Sequence, residues 1–166
     1  MHESFLLSIR ALDADTVSSA RELARLSLDG TPYAEHFLVS LHGAATAPGR
    51  ESRALVAHSR DREDLLGVVV FGEVAGTVGT GKLHFVSVTA GARLQGVASR
   101  LIDSAIADLA EEKARFVVAE LPDDQRIAAV RELLLSNDFI EDARIPDFYA
   151  DGVALICFRR EIPRGI

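Results

Sequence analysis

The sequence predicts an α/β fold in which a mixed sheet of about seven strands carries helices on both faces. Three observations lead there. In the middle of the chain, apolar β-rich runs alternate with amphipathic helical segments, as parallel strands joined by a crossover helix require. Before and after that region, short turns separate neighbouring strands, as antiparallel pairs allow. The run Phe116-Val117-Val118-Ala119 is apolar without alternation, the pattern of a strand buried on both faces.

Taken in order, Phe5 to Leu12 reads as a first strand. Asp13-Ala14-Asp15 can cap a helix from about Thr16 to Leu28, whose apolar stripe is Val17, Ala20, Leu23, Ala24 and Leu28. Asp29-Gly30-Thr31-Pro32 stops it, and a second helix runs from Tyr33 to about His42. Gly43 to Glu51, rich in Ala, Gly and Pro, reads as a loop. Ala54–His58 and Leu65–Glu73 are strands joined by the charged turn Arg60 to Asp64. A Gly- and Thr-rich loop, Gly76 to Gly81, leads into a strand ending near Thr89. A helix follows, with Val97, Leu101, Ile102, Ala105, Ile106 and Leu109 at helical spacing. Arg115–Leu121 is the next strand, Asp124 to Asn137 the last helix, and Phe139–Arg144 and Val153–Arg160 the closing strands.

Bulk properties exclude several classes. Length 166 favours one domain spanning 1–166, and 48% hydrophobic with 26% charged residues rules out a disordered chain. A formal net charge of −7 argues against nucleic acid and anionic membranes as partners. One cysteine, Cys157, allows neither an intrachain disulfide nor a cysteine-rich metal site. The first ten residues lack the pattern of a signal peptide, and no apolar run reaches the ~20 residues of a membrane span, so a cytoplasmic protein is expected.

One motif looks catalytic and is not. Gly76-Thr77-Val78-Gly79-Thr80-Gly81-Lys82 has the spacing of a phosphate-binding P-loop. That loop needs a following Ser or Thr and a helix, and here Leu83 and a strand follow. The more informative run is Arg93-Leu94-Gln95-Gly96-Val97-Ala98, between a strand end and a helix start. Glycine in a first helical turn costs roughly 1 kcal/mol against alanine. A helix start exposes unpaired N–H groups and partial positive charge, so small residues there make an anion cradle.

Strand, then Arg-x-x-Gly-x-Ala, then helix resembles the acyl-CoA signature of the GNAT-type N-acetyltransferases, and the elements from about Phe5 to Ile162 follow that family's order. The resemblance implies a mostly antiparallel sheet with a splayed central parallel strand pair. It implies a transferase that moves an acetyl or similar acyl group from acetyl-CoA, as cosubstrate and without a metal, to a primary amine of a small molecule or protein by direct attack in a ternary complex. Arg93, Leu94, Gln95, Gly96, Val97 and Ala98 would then hold the CoA pyrophosphate, chiefly through backbone N–H groups. The backbone of Val86 and Val88 would pair with the pantetheine amides.

An amine acceptor is largely protonated at neutral pH, so a carboxylate is needed to take its proton. Glu120, ending a buried strand beside the expected cleft, is the first candidate, where desolvation can raise its pKa; Glu73 is the reserve. Many relatives supply the thiolate's proton from a tyrosine in a Phe-Tyr-x-x-x-Gly-Phe-like motif. The corresponding run here is Leu133 to Phe139, with Leu134 at the tyrosine's place and Asp138 at the glycine's. Tyr149, in the segment Ile145–Gly152 that links the last two strands, is the substitute candidate. The alternative function is a catalytically silent module that binds acyl-CoA as a sensor or assembly part. Oligomeric state is left open, a homodimer being the commonest assembly.

Overall fold

The computed structural model describes residues 6–61 and 63–163. Seven strands form one sheet in the order β1-β2-β3-β4-β5-β7-β6. They are β1 (Leu7–Ala11), β2 (Arg53–Ser59), β3 (Leu65–Glu73), β4 (Thr80–Val88), β5 (Phe116–Pro122), β6 (Ile140–Ala150) and β7 (Val153–Glu161). The helices are α1 (Val17–Ser27), α2 (Ala34–Thr46), α3 (Val97–Glu111) and α4 (Ala128–Ser136). Every neighbouring strand pair is antiparallel except β4 and β5, which run parallel. Phe5 and Arg62, within the expected first strand and first charged turn, lie outside the described residues.

Two cores lie on opposite faces of the sheet. One gathers Val69, Phe71 and Leu83 against the α3 stripe Leu101, Ile102, Ala105 and Leu109. The other gathers Val68, Val70 and Phe85 against α1 and α2 through Ala20, Leu23, Phe37 and Leu41. Strict alternation along β3 explains the split, because successive strand side chains point to opposite faces.

Along β4 the alternation breaks. Leu83 belongs to the α3 core and Phe85, two residues later, to the opposite core. The register explains this: Phe71 faces Leu83 while Val70 faces Phe85, so His84 is an extra residue, a β-bulge. A bulge bends its strand and sharpens its twist. Parallel pairing of β4 with β5 stops at the same point, running only from Thr80 opposite Phe116 to Leu83 opposite Ala119. Beyond it, the rest of β4 and Glu120 to Pro122 of β5 are unpaired with each other, and a wedge opens between them.

Several elements differ from the sequence reading. Helix α2 continues through Gly43 to Thr46, because Ala44 extends the buried stripe of Phe37 and Leu41 beyond His42. The last helix opens with a 3₁₀ turn, Gln125–Ile127, and becomes α-helical only at Ala128. The segment 145–150 is not a connection but the end of β6, which turns back into β7 at Asp151-Gly152. Its register jumps from Ile145 opposite Leu155 to Ala150 opposite Val153, leaving 146–149 bulged out. Pro146, which cannot donate to the ladder, and Asp147 at φ 53° account for that bulge. Gly79 has φ 74° within the hairpin between β3 and β4, where the P-loop-like run falls.

Candidate active site

The turn after β4 is built from two left-handed residues. A 3₁₀ turn, Ala90–Ala92, is followed by extended Arg93, then Leu94 at φ 61° and Gly96 at φ 76°. Gly96 is the N-cap of α3, one step outside the helix, rather than a residue of its first turn. Its glycine identity therefore answers to backbone conformation, since φ near +75° is unfavourable for side chains other than glycine's. A β-carbon at Gly96 would meet no protein atom within 4 Å, so the space above it is open. Leu94 pays the left-handed cost without that excuse, and its side chain is fully exposed.

This backbone leaves donors free. The amides of Leu94, Gln95, Gly96, Val97 and Ala98 have no backbone acceptor among the described residues. These amides stand at the N-terminal end of α3, where the helix carries its partial positive charge. The Gln95 side chain braces the loop by donating from Nε2 to the Gly91 carbonyl at 2.8 Å. Arg93 is exposed and makes no salt bridge among the described residues. Val86 and Val88 pack half-buried against the α3 core, on the stretch of β4 that has left β5.

A cavity of about 230 Å³ sits where the wedge opens. Tyr33, His36 and Phe37 line it from the α2 side, Lys82 and His84 from β4, Glu120 from β5 and Tyr149 from the bulge of β6. Thus Glu120 and Tyr149, far apart in sequence, face one opening. Glu120 is 40% exposed, and its Oε2 accepts from Lys82 Nζ at 2.7 Å. Glu120, expected from sequence as a strand-end carboxylate open to desolvation, is instead half of an ion pair. Tyr149 is 39% exposed and packs edge-on to Tyr33, with ring centroids 5.8 Å apart. Burial first, and then the nearby Glu120, push the Tyr149 phenol above its ordinary pKa, so it stays protonated.

The remaining walls are held firmly. Tyr33 is buried, and its hydroxyl donates to Asp124 Oδ2 at 2.8 Å. Hydrogen bonds from the Arg126 guanidinium, then from the Arg126 amide and Tyr33, hold the Asp124 carboxyl well below the usual range. His84 Nε2 lies 3.2 Å from the Glu51 carbonyl oxygen, so that nitrogen carries the proton. Burial holds the His84 imidazole below its ordinary pKa, with Lys82 and His36 adding to the effect. Glu73, the reserve carboxylate, is tied to Arg50 at 2.6 Å and does not line the cavity.

Leu134 is buried in the α3 core, and Asp138 takes φ 62°, the conformation a glycine would adopt after a helix end. Asn137, also buried, donates from Nδ2 to Ser99 Oγ at 3.0 Å and ties the end of α4 to the first turn of α3. Sequence reasoning missed Tyr33, His36, Phe37 and Lys82 as site residues. Glu120 carried a signal as the one ionisable residue in the otherwise apolar strand β5, whereas Lys82 shares β4 with Thr80, His84 and Ser87 and does not stand out there. Among the described residues, no cluster of three His, Cys, Asp or Glu side chains is arranged to hold a metal, and no helix is long and apolar enough to cross a membrane.

Among the described residues the seven-stranded sheet has one parallel pair, β4 and β5, and the pair splays beside the turn that leads into α3. The model of the acetyltransferase (GNAT) family matches residues 21–132, well over half of the chain, and the protein belongs to that family. Among solved structures, it superposes on a protein from Desulfovibrio desulfuricans described as a GNAT-family acetyltransferase, with TM-score 0.81 at 20% identity, covering 93% of this chain and 98% of that one. An aminoglycoside 6′-N-acetyltransferase complexed with coenzyme A gives TM-score 0.74 at 14% identity, covering 96% and 99%. The ribosomal-protein-S18-alanine N-acetyltransferase of Escherichia coli gives 0.72 at 14%, covering 97% of each chain. These likenesses establish the fold. A search of curated proteins finds no significant match.

Proposed function

We propose that this protein is an N-acyltransferase that moves an acetyl or similar acyl group from acetyl-CoA to a primary amine, by direct attack in a ternary complex. One observation carries the reading: the amides of 94–98 lie just beyond the same β4 end whose departure from β5 creates a cavity bearing a carboxylate and a phenol. These amides would take the pyrophosphate, and exposed Arg93 could pair with its oxygens. The backbone of Val86 and Val88 would receive the pantetheine amides as an added strand would.

In the proposed reaction an ammonium acceptor gives one proton to Glu120 and attacks the thioester carbonyl with its freed lone pair. The carbonyl oxygen gains charge and is stabilised by strand N–H groups. The C–S bond then breaks, its electron pair stays on sulfur, and Tyr149 donates the proton that yields the thiol. The amide nitrogen's second proton restores the Tyr149 hydroxyl, and Glu120 returns its proton to solvent.

Calorimetry with acetyl-CoA followed by CoA-release assays over a panel of amines tests the proposal. Glu120→Gln should lower turnover most at low pH and least at high pH, where the amine loses its proton unaided. A flat pH response removes Glu120 as the proton acceptor. The buried leucine at position 134, where relatives carry a tyrosine, favours a second reading, an acyl-CoA-binding module without turnover. Tight acetyl-CoA binding with no CoA release would support it.

A further inference from the structure

We infer that the acceptor is a free α-amino acid with an aromatic or large apolar side chain, received by exchange of ion pairs with Lys82 and Glu120. The inference rests on the transferase reading above. Its starting point is the charge inventory of the cavity. Lys82 and Glu120 are the only Lys, Arg, Asp or Glu side chains lining it among the described residues, and they are bound to each other at 2.7 Å. Of the two histidines there, His84 is kept neutral by burial, and His36 is exposed on α2.

An acceptor whose ammonium takes Glu120 Oε2 displaces the ammonium already on that oxygen. Lys82 is 27% exposed, and once displaced it would face the cleft with no other carboxylate among the described lining residues to pair with. A plain amine leaves it in that state. A polyamine adds further positive charge beside it. An α-amino acid carries a carboxylate on the same carbon as its ammonium, and so offers both replacements at once. Its ammonium takes Glu120, its carboxylate takes Lys82, and every charge keeps a partner. With Lys82 drawn to the acceptor carboxylate, Glu120 Oε2 is left to take the acceptor's proton.

The remaining walls select the side chain. Tyr33, Phe37 and Tyr149 face the cavity as aromatic surfaces. Two of them are fixed, Tyr33 by Asp124 and Phe37 by stacking 5.4 Å from Phe85, so apolar contact there carries little ordering cost. At about 30 Å³ per water in the liquid, the cavity has room for roughly eight waters, enough for one amino acid.

The test uses the full chain with acetyl-CoA and follows CoA release with phenylalanine, phenylalanine amide, phenethylamine and spermidine. Phenylalanine amide keeps the shape and loses the negative charge. Loss of a charge-assisted contact corresponds to about tenfold or more in kcat/KM, so phenylalanine should exceed its amide and phenethylamine by at least that factor. Lys82→Met should collapse the ratio of phenylalanine to phenethylamine, while Lys82→Arg, which keeps the charge, should preserve it. Thermal melts of both variants exclude unfolding as the cause. Equal or better rates with the amide, phenethylamine or spermidine overturn this inference and leave the transferase reading standing. Acetyl-CoA binding with no release from any of the four overturns this inference, and release from an amine of the wider panel would still uphold the transferase reading.

Discussion

The Tyr33 hydroxyl, at the entry to α2, donates a 2.8 Å hydrogen bond to Asp124, just past the end of β5. That bond joins the α1–α2 layer to the second strand of the splayed pair and fixes the mouth of the cavity. Arg126 completes the cluster by binding the same carboxylate and lying 5.9 Å from the Tyr33 ring centroid. The site's outer wall therefore depends on one carboxylate remaining ionised.

Stability should consequently fall in acid through Asp124. Its folded-state pKa is depressed, first by the Arg126 side chain, so its contribution is complete above the unfolded value of 3.8. It is lost as pH falls from about 4 towards the folded value. Denaturant melts from pH 7 to pH 3 should show Asp124→Asn less stable at neutral pH and less sensitive to acid. Parallel curves for the two proteins would remove this link.

His84 should give a second pH dependence, in a higher window. Its imidazole titrates below its ordinary 6.5 because burial disfavours the cation. The unfolded chain then binds the proton first, so stability declines as pH falls below about 6.5 and levels off under the folded pKa. His84→Gln should flatten the profile between pH 7 and pH 5. An unchanged slope would mean that the ring takes up its proton in place.

At Gly96 two explanations can be separated. A valine would need a left-handed φ, unfavourable by roughly 1–2 kcal/mol, and would also fill the open space above the turn. Asparagine tolerates that φ far better but still projects a side chain. Both Gly96→Val and Gly96→Asn should weaken acetyl-CoA binding by about tenfold or more in calorimetry if the space is what matters. Retained affinity in the asparagine variant would assign the glycine to conformation alone.

Tyr149→Phe keeps the edge-on contact with Tyr33 and removes only the hydroxyl. If that hydroxyl protonates the thiolate, kcat should drop by at least about tenfold with acetyl-CoA affinity unchanged. Full turnover would return Tyr149 to the role of an aromatic wall.

The elements and the turn before α3 were legible in the sequence because they are local. Leu101, Ile102, Ala105 and Leu109 announce one face of α3 at helical spacing, and Gly96 marks a strand-to-helix turn whose conformation few residues tolerate. The second helix was read too short because Gly43 looks like a stop, yet the burial of Ala44 carries α2 past it. Tyr33 looked like no more than a helix start. Its partners Asp124 and Tyr149 come from the 3₁₀ turn after β5 and from the bulge of β6, and no local pattern connects them.

By itself, then, the chain's order of residues determined the seven strands, the four helices and the glycine-bearing turn before α3, since period, capping and φ preference act within a few positions. Only tertiary packing decided that His84 would be the extra residue in β4, because the bulge exists to satisfy two cores on opposite faces at once. From that single added residue follow the parting of β4 from β5 and the meeting of Lys82, Glu120, Tyr33 and Tyr149 around one cavity.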